Sequence, residues 1–239
     1  MKKFLLIILL VVIYQALNVI FPNHFFPSIW QILTALIKNL SDREFYLDIG
    51  SSLSRILIGF TLAGVAGVFL GLILGYDQRL KDLKLFVELL RPIPPIAWIP
   101  IAIIIFGLGN ASAYFIVFLG AFFPIFTNTY FGAISIPVIY KNVASSFEIN
   151  KATYFIKILL FFSLPYIFTG LKIGIGMAWM SVIAAELIAA QSGLGYYIQL
   201  NRLLLQTDNI IVGMIFIGVI GNLLQKLIEL LEKKIIIWN

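Results

Sequence analysis

The chain has 239 residues, 61% of them hydrophobic and only 12% charged, with a mean hydropathy of +1.03. A soluble domain needs a polar surface that this composition does not supply, so an integral α-helical membrane protein is expected. There is no cysteine, which removes disulfides, thiol catalysis and thiolate metal sites together, and one histidine, His24, which leaves no histidine cluster for a metal.

In chain order, the first apolar run covers residues 4–21, about 27 Å as a helix and just enough for a hydrocarbon core. Lys2 and Lys3 before it resemble a signal-peptide start, but no small-x-small cleavage site follows, so an uncleaved anchor is expected. His24 sits among aromatics just beyond and reads as interfacial. Pro27-Ser28 open a short amphipathic helix, residues 28–40, followed by a polar patch, 41–48. Further spans are expected at 49–76, 95–106 (approached through 83–91), 111–134, 165–190 and 210–225. The predicted fold class is therefore all-α, a six-helix polytopic membrane bundle. Its divisions are an anchor span with an extracytoplasmic amphipathic segment, 1–48, and a core transmembrane domain, 49–239.

Charge orients these spans. With the N-terminus inside, Lys2, Lys3, Arg79, Lys81, Lys84, Arg91, Lys141, Lys151, Lys157, Lys226, Lys233 and Lys234 are cytosolic, and only Lys38, Arg43 and Arg202 lie outside. That bias predicts both termini in the cytosol. The net charge of +6 is then a topology signal, and no nucleic-acid partner is expected.

Several features exceed a generic bundle. The second span carries small residues at every fourth position, Gly59, Ala63, Gly67, Gly71 and Gly75, which lets another helix approach closely. Four residues overshoot a 3.6-residue turn, so one straight neighbour is not expected to cover the whole row. The third span begins with Pro92, Pro94, Pro95 and Pro100 around Trp98, which no unbroken helix supports. Broken backbone at membrane depth is tolerated where it is buried in protein or lines a watery cavity. A kinked entrance without a transport role explains the prolines equally well. Glu186 stands deep in the fifth span and must face the bundle interior, water or a donor. Proton relay, gate element and structural hydrogen-bond anchor are the open roles. Lys172 can snorkel toward the cytosol, and Arg55 reads as an interfacial or inter-helix contact. Residues 140–157 form the one long polar interruption in the second half. No catalytic constellation, metal cluster or phosphate-binding glycine loop is present, so no catalytic residue and no cofactor is expected; any ATP is hydrolysed by another chain.

The segments RPIPPIAWIP (91–100), FGLGN (106–110), LGAFFPIFTN (119–128), LPYIFTGLKIG (164–174) and AAELIAAQSGLGY (184–196) keep an order and spacing that resembles permease subunits of binding-protein-dependent ABC importers. The nitrate/sulfonate/taurine/bicarbonate group is the most similar. The resemblance implies the MetI-like permease fold and a cytosolic coupling loop, about 140–161, holding a short helix that sits in a groove of the ATPase subunit. The family signature, Glu-Ala-Ala, three residues, Gly, nine residues and Ile-x-Leu-Pro, falls on Asn142-Val143-Ala144, Glu148 and Ile158–Phe161. Ala144, Ile158 and Leu160 match. Asn142 replaces Glu, Glu148 replaces a glycine expected at positive φ, and Phe161 replaces Pro. A small amphipathic helix over 142–147 would present Val143 and Phe147 to the ATPase.

By the same resemblance the partners are two cytosolic ATPase subunits, an extracytoplasmic solute-binding protein and a second permease copy, identical or related, with this chain itself in the inner-membrane lipid bilayer. Pro94, Pro95, Trp98, Pro100 and Glu186 are candidates for the pathway or gate. A small anion is the expected solute. Permeases for thiamine precursors or riboflavin-like vitamins, an ion-coupled carrier and a scaffold subunit of a vitamin importer stay open as rivals.

Overall fold

The computed structural model describes Gln15 and residues 26–237; the expected first span, 4–21, and His24 lie outside the described residues. Nine helices follow one another among these. Helix α1 (Ile29–Leu40) starts at a capping box, in which the Gln31 amide donates to Ser28 Oγ and the Ser28 amide to Gln31 Oε1. It is amphipathic: Ala35 and Asn39 are buried while Trp30 and Ile37 face out. Asn39 fastens it to the bundle, donating to Asn209 Oδ1 at 2.8 Å and accepting from the Tyr197 hydroxyl at 2.8 Å.

Helix α2 (Arg43–Tyr76) is capped by Asp42, whose Oδ1 accepts from the Glu44 amide. At 34 residues it is about 51 Å long and overshoots a hydrocarbon core of about 30 Å. After a 3₁₀ turn at Gln78–Leu80 come α3 (Lys81–Leu90), a second 3₁₀ turn at Pro95–Trp98 and α4 (Ile99–Phe106). The segments Asp82–Leu90 and Pro95–Phe106 are bent by 90° to each other, the geometry of a broken span or a re-entrant loop. The prolines account for the break, since each removes a donor that a continuous helix would use.

Helix α5 (Asn110–Ile134) packs along both α2 and the helix labelled α7, and these three make the centre of the fold. Helix α6 (Val138–Ser146) is short. Helix α7 (Lys151–Ala189) opens with one α turn, passes through a π-helical stretch at Phe155–Leu160 and runs on as α-helix from Phe161. The fifth crossing therefore starts well before Pro165, where the sequence reading began it. Pro165 is carried inside α7, which membrane helices tolerate because local π adjustment, here just upstream, re-partners freed carbonyls. Helices α8 (Leu194–Leu203) and α9 (Thr207–Ile235) close the chain. Among the described residues four helices are long and apolar enough to cross a membrane, or five if the bent pair is one span.

Candidate functional site

The small-residue row of α2 lies against α5 throughout. A Cβ added at Gly59 would sit 2.6 Å from Val117 Cβ, one at Gly67 2.9 Å from Ile125 Cγ2, and one at Gly71 2.7 Å from Thr129 Cβ; at Gly75 it would overlap Ala133. Ala63 is fully buried in the same row. One helix thus covers what drift alone assigned to several. The reason is on the partner: its contacts also recur every fourth residue, so both rows overshoot the turn equally and stay together. A repeat longer than 3.6 favours such right-handed wrapping.

Glu186 is 1% exposed and Arg55 3% exposed, and they pair at 2.7 Å between α7 and α2. The Glu186 carboxylate also accepts from Ser52 Oγ, at 2.9 and 2.8 Å to its two oxygens, and from the Gly195 amide at 2.9 Å. Arg55 is equally engaged: Nε donates to Asn110 Oδ1, Nη1 to the Ser192 carbonyl as well as to Glu186, and Nη2 to Ser192 Oγ. Every oxygen and nearly every guanidinium hydrogen has a partner, which is what makes a buried ion pair tolerable. The turn before α8 is shaped around the carboxylate. Gly193 has φ +112, and a side chain there would overlap the Glu186 carboxylate. Its amide donates to Asp48 Oδ1, and the Leu194 amide to Ser52 Oγ.

Ser52, Asn110, Ser192, Gly193 and Gly195 were not singled out from sequence. A signal existed: Ser52 and Arg55 stand three apart on one face of a helix, and Asn110 and 192–195 fall in two of the segments that carry the family resemblance. Arg55 and Glu186 are 131 residues apart in sequence, and only tertiary structure pairs them. Lys172 forms a second inter-helix pair, with Glu232 of α9 at 2.9 Å.

The proline elbow places Pro94 and Pro100 at exposed positions and Pro95 and Trp98 at half-buried ones. Trp98 packs onto the cluster formed by Ile99, Ala102, Ala113, Ile116 and Ala185. Ala185 precedes Glu186 in α7, so the elbow and the ion pair are neighbours through one helix turn.

At the opposite end lies the polar segment. Helix α6 begins after Pro137, earlier than the expected 142–147, because proline presets the backbone of a helix start. Ala144 is 5% exposed, whereas Asn142, Val143 and Glu148 are exposed and Phe147 is 76% exposed. The helix ends in a Schellman motif: the Ile149 amide donates to Ala144 O and the Glu148 amide to Ser145 O, both at 3.0 Å. Glu148 takes φ +49. The turn is therefore not reshaped; the glutamate adopts the left-handed conformation that glycine adopts more cheaply. Asn150 caps the next turn through the Thr153 amide. Ile158 and Leu160 lie half-buried in the π-helical stretch.

Comparison with known proteins fits this architecture. A family model described as the inner membrane component of binding-protein-dependent transport systems matches residues 65–235. The nitrate import permease protein NrtB of Synechocystis sp. is 38% identical over 199 residues, 82% of this chain and 72% of that protein. A putative ABC transporter permease protein of Methanocaldococcus jannaschii is 40% identical over 190 residues, 79% of this chain and 71% of the relative. The bicarbonate transport system permease protein CmpB of Synechococcus elongatus is 36% identical over 197 residues, 82% and 71% of the two chains. Among solved structures, the MetNI methionine ABC transporter in an inward-facing conformation gives a TM-score of 0.67 at 16% identity, over 86% of this chain and 96% of that one, a likeness of fold alone. The chain belongs to the binding-protein-dependent transport system inner membrane components: it is a multi-pass permease subunit of an ABC importer, a transport component whose ATPase is a separate subunit.

Proposed function

We propose that two copies of this permease, or one copy and a related chain, stand above two cytosolic ATPase subunits and pass a small inorganic or organic oxyanion inward. The names of its relatives, nitrate import and bicarbonate transport permeases, support that solute class. An extracytoplasmic binding protein delivers the solute to the outer face. Both termini are cytosolic, as the basic bias of the loops supports.

The observation that carries the reading is the exposed apolar side of α6. Val138, Ile139, Val143 and Phe147 face out from a nine-residue helix in an otherwise polar stretch, which suits insertion into a groove. ATP-driven closure of the two ATPases moves the paired α6 helices together. The bundle then switches between inward- and outward-facing arrangements, the two-state element on which the solute and the nucleotide both act. The proline elbow and the turn of α7 beside it, around Ala185, line the pathway. Glu186 works as an anchor for the outer ends of α2, α5 and α7, since its carboxylate is occupied by three donors and has no open side for proton transfer.

Phe147→Asp tests the coupling assignment. The side chain is exposed, so folding and thermal stability should be unchanged, while ATPase co-purification from native membrane and solute-stimulated ATP hydrolysis should both fall sharply. Unchanged co-purification and stimulation would sink the assignment. Ala144 is unsuitable for this test because it is buried and a charge there attacks the fold as well.

A further inference from the structure

Helix α6 buries one residue, Ala144, and meets α7 through the Tyr140 and Phe162 rings, 6.1 Å apart; beside it lies a cavity of 270 Å³. The floor is formed by Gly75 and Ala133, at the ends of α2 and α5. Lys141 and Ser145 of α6, Lys151 at the start of α7, and the phenols Tyr76 and Tyr154 supply its polar wall. No aspartate or glutamate lines it. The ion pairs among the described residues are Arg55–Glu186, Lys84–Glu88 and Lys172–Glu232, so neither lysine of the cavity is neutralised. The two phenol rings pack at 5.8 Å between centroids, which fixes them as a tilted pair at one side of the space.

We propose that this cavity binds a phosphate group, with Lys141 and Lys151 as its cationic ligands and the Tyr76 and Tyr154 hydroxyls as donors. Two lysines that line one space with no acid in its walls offer an oxyanion two charge-assisted contacts. The phosphate would also tie α6 to the first turn of α7 and the end of α2, which already pack on each other through Tyr76 and Tyr154. It thereby stiffens the coupling segment against the spans it has to move. A basic pocket between helix ends on the cytoplasmic side, edged with tyrosine, is where an anionic lipid head group is held. Free phosphate offers the same chemistry. Only the cytosolic placement rests on the proposed orientation; the pocket's chemistry does not.

The test uses the full purified chain with its ATPase, as wild type, as Lys141→Gln/Lys151→Gln, and as Lys226→Gln/Lys233→Gln, which removes the same charge from α9. Native mass spectrometry from phosphatidylglycerol-containing and from pure phosphatidylcholine nanodiscs reads retained lipid. Thermal midpoints in detergent read the response to inorganic phosphate against isoionic chloride. Retention of phosphatidylglycerol by wild type and the α9 variant, lost in the cavity variant, identifies a lipid phosphate. A phosphate-specific rise of several degrees with the same variant pattern identifies free phosphate. If neither probe responds, or the cavity variant responds as wild type does, the proposal is overturned. Co-purification of the ATPase reads the coupling assignment separately, so the pocket can fail while that assembly stands.

Discussion

The two ends of the α2–α5–α7 core are built in opposite ways. At the Arg55–Glu186 end, four segments share one hydrogen-bonded knot: α2, the start of α5, α7 and the turn into α8. At the α6 end, a nine-residue helix buries a single alanine and makes one ring contact, Tyr140 with Phe162, beside a cavity and a strained turn. Dense burial and mutually satisfied polar groups make a region open only with the whole fold, whereas few buried contacts leave a segment free to move locally. The contrast suits a permease in which one end holds the helices in register and the other receives force from a partner.

The sharpest way to break this comparison is Arg55→Met. It leaves the Glu186 carboxylate buried without its cation, and the expected loss is about 3–5 kcal/mol. A large drop in thermal midpoint and in monodisperse yield should follow. The double variant Arg55→Met/Glu186→Leu should recover most of that loss, because it removes both charges and keeps apolar volume; no recovery would mean the knot is not organised around the pair. Next in size is Gly193→Ala, which combines a φ of +112 with a collision onto the Glu186 carboxylate. A cost of about 1–3 kcal/mol is expected, from the strained backbone alone. Smallest is Glu148→Gly at the other end. Relief of the left-handed glutamate should raise stability by about 0.5–1 kcal/mol, after the entropy that glycine adds to the unfolded chain. A midpoint lower than wild type would show that Glu148 makes a compensating contact, and would weaken the picture of a loosely held segment.

Much of this architecture was legible beforehand. Among the described residues apolar run lengths located the long helices, and the proline cluster located the break, because backbone donors missing from a helix are a local property. The glycine expected at position 148 led to the left-handed turn even though a glutamate occupies it, since the Schellman bonds of the chain around it demand that conformation. Other features were illegible for equally physical reasons. The small-residue row showed that something approaches α2 closely, but the matching four-residue rhythm that lets α5 follow the whole row belongs to another helix. Glu186 advertised a need for a donor without naming one. Its partners Ser52, Arg55 and Gly195 are a helix face and a turn that only folding brings together.

Composition and the ordered sequence segments by themselves determined a multi-pass, helical permease with one late segment set apart by its polarity. These follow from chain-local quantities: hydrophobic length against bilayer thickness, and residue type against backbone geometry. Tertiary structure alone decided that Glu186 closes on Arg55, that α5 rides the glycine row from Gly59 to Gly75, and that Lys141 and Lys151 face one cavity with no acid in its walls. Each of those depends on distances between segments far apart in the chain, and burial gives such distances their energetic weight.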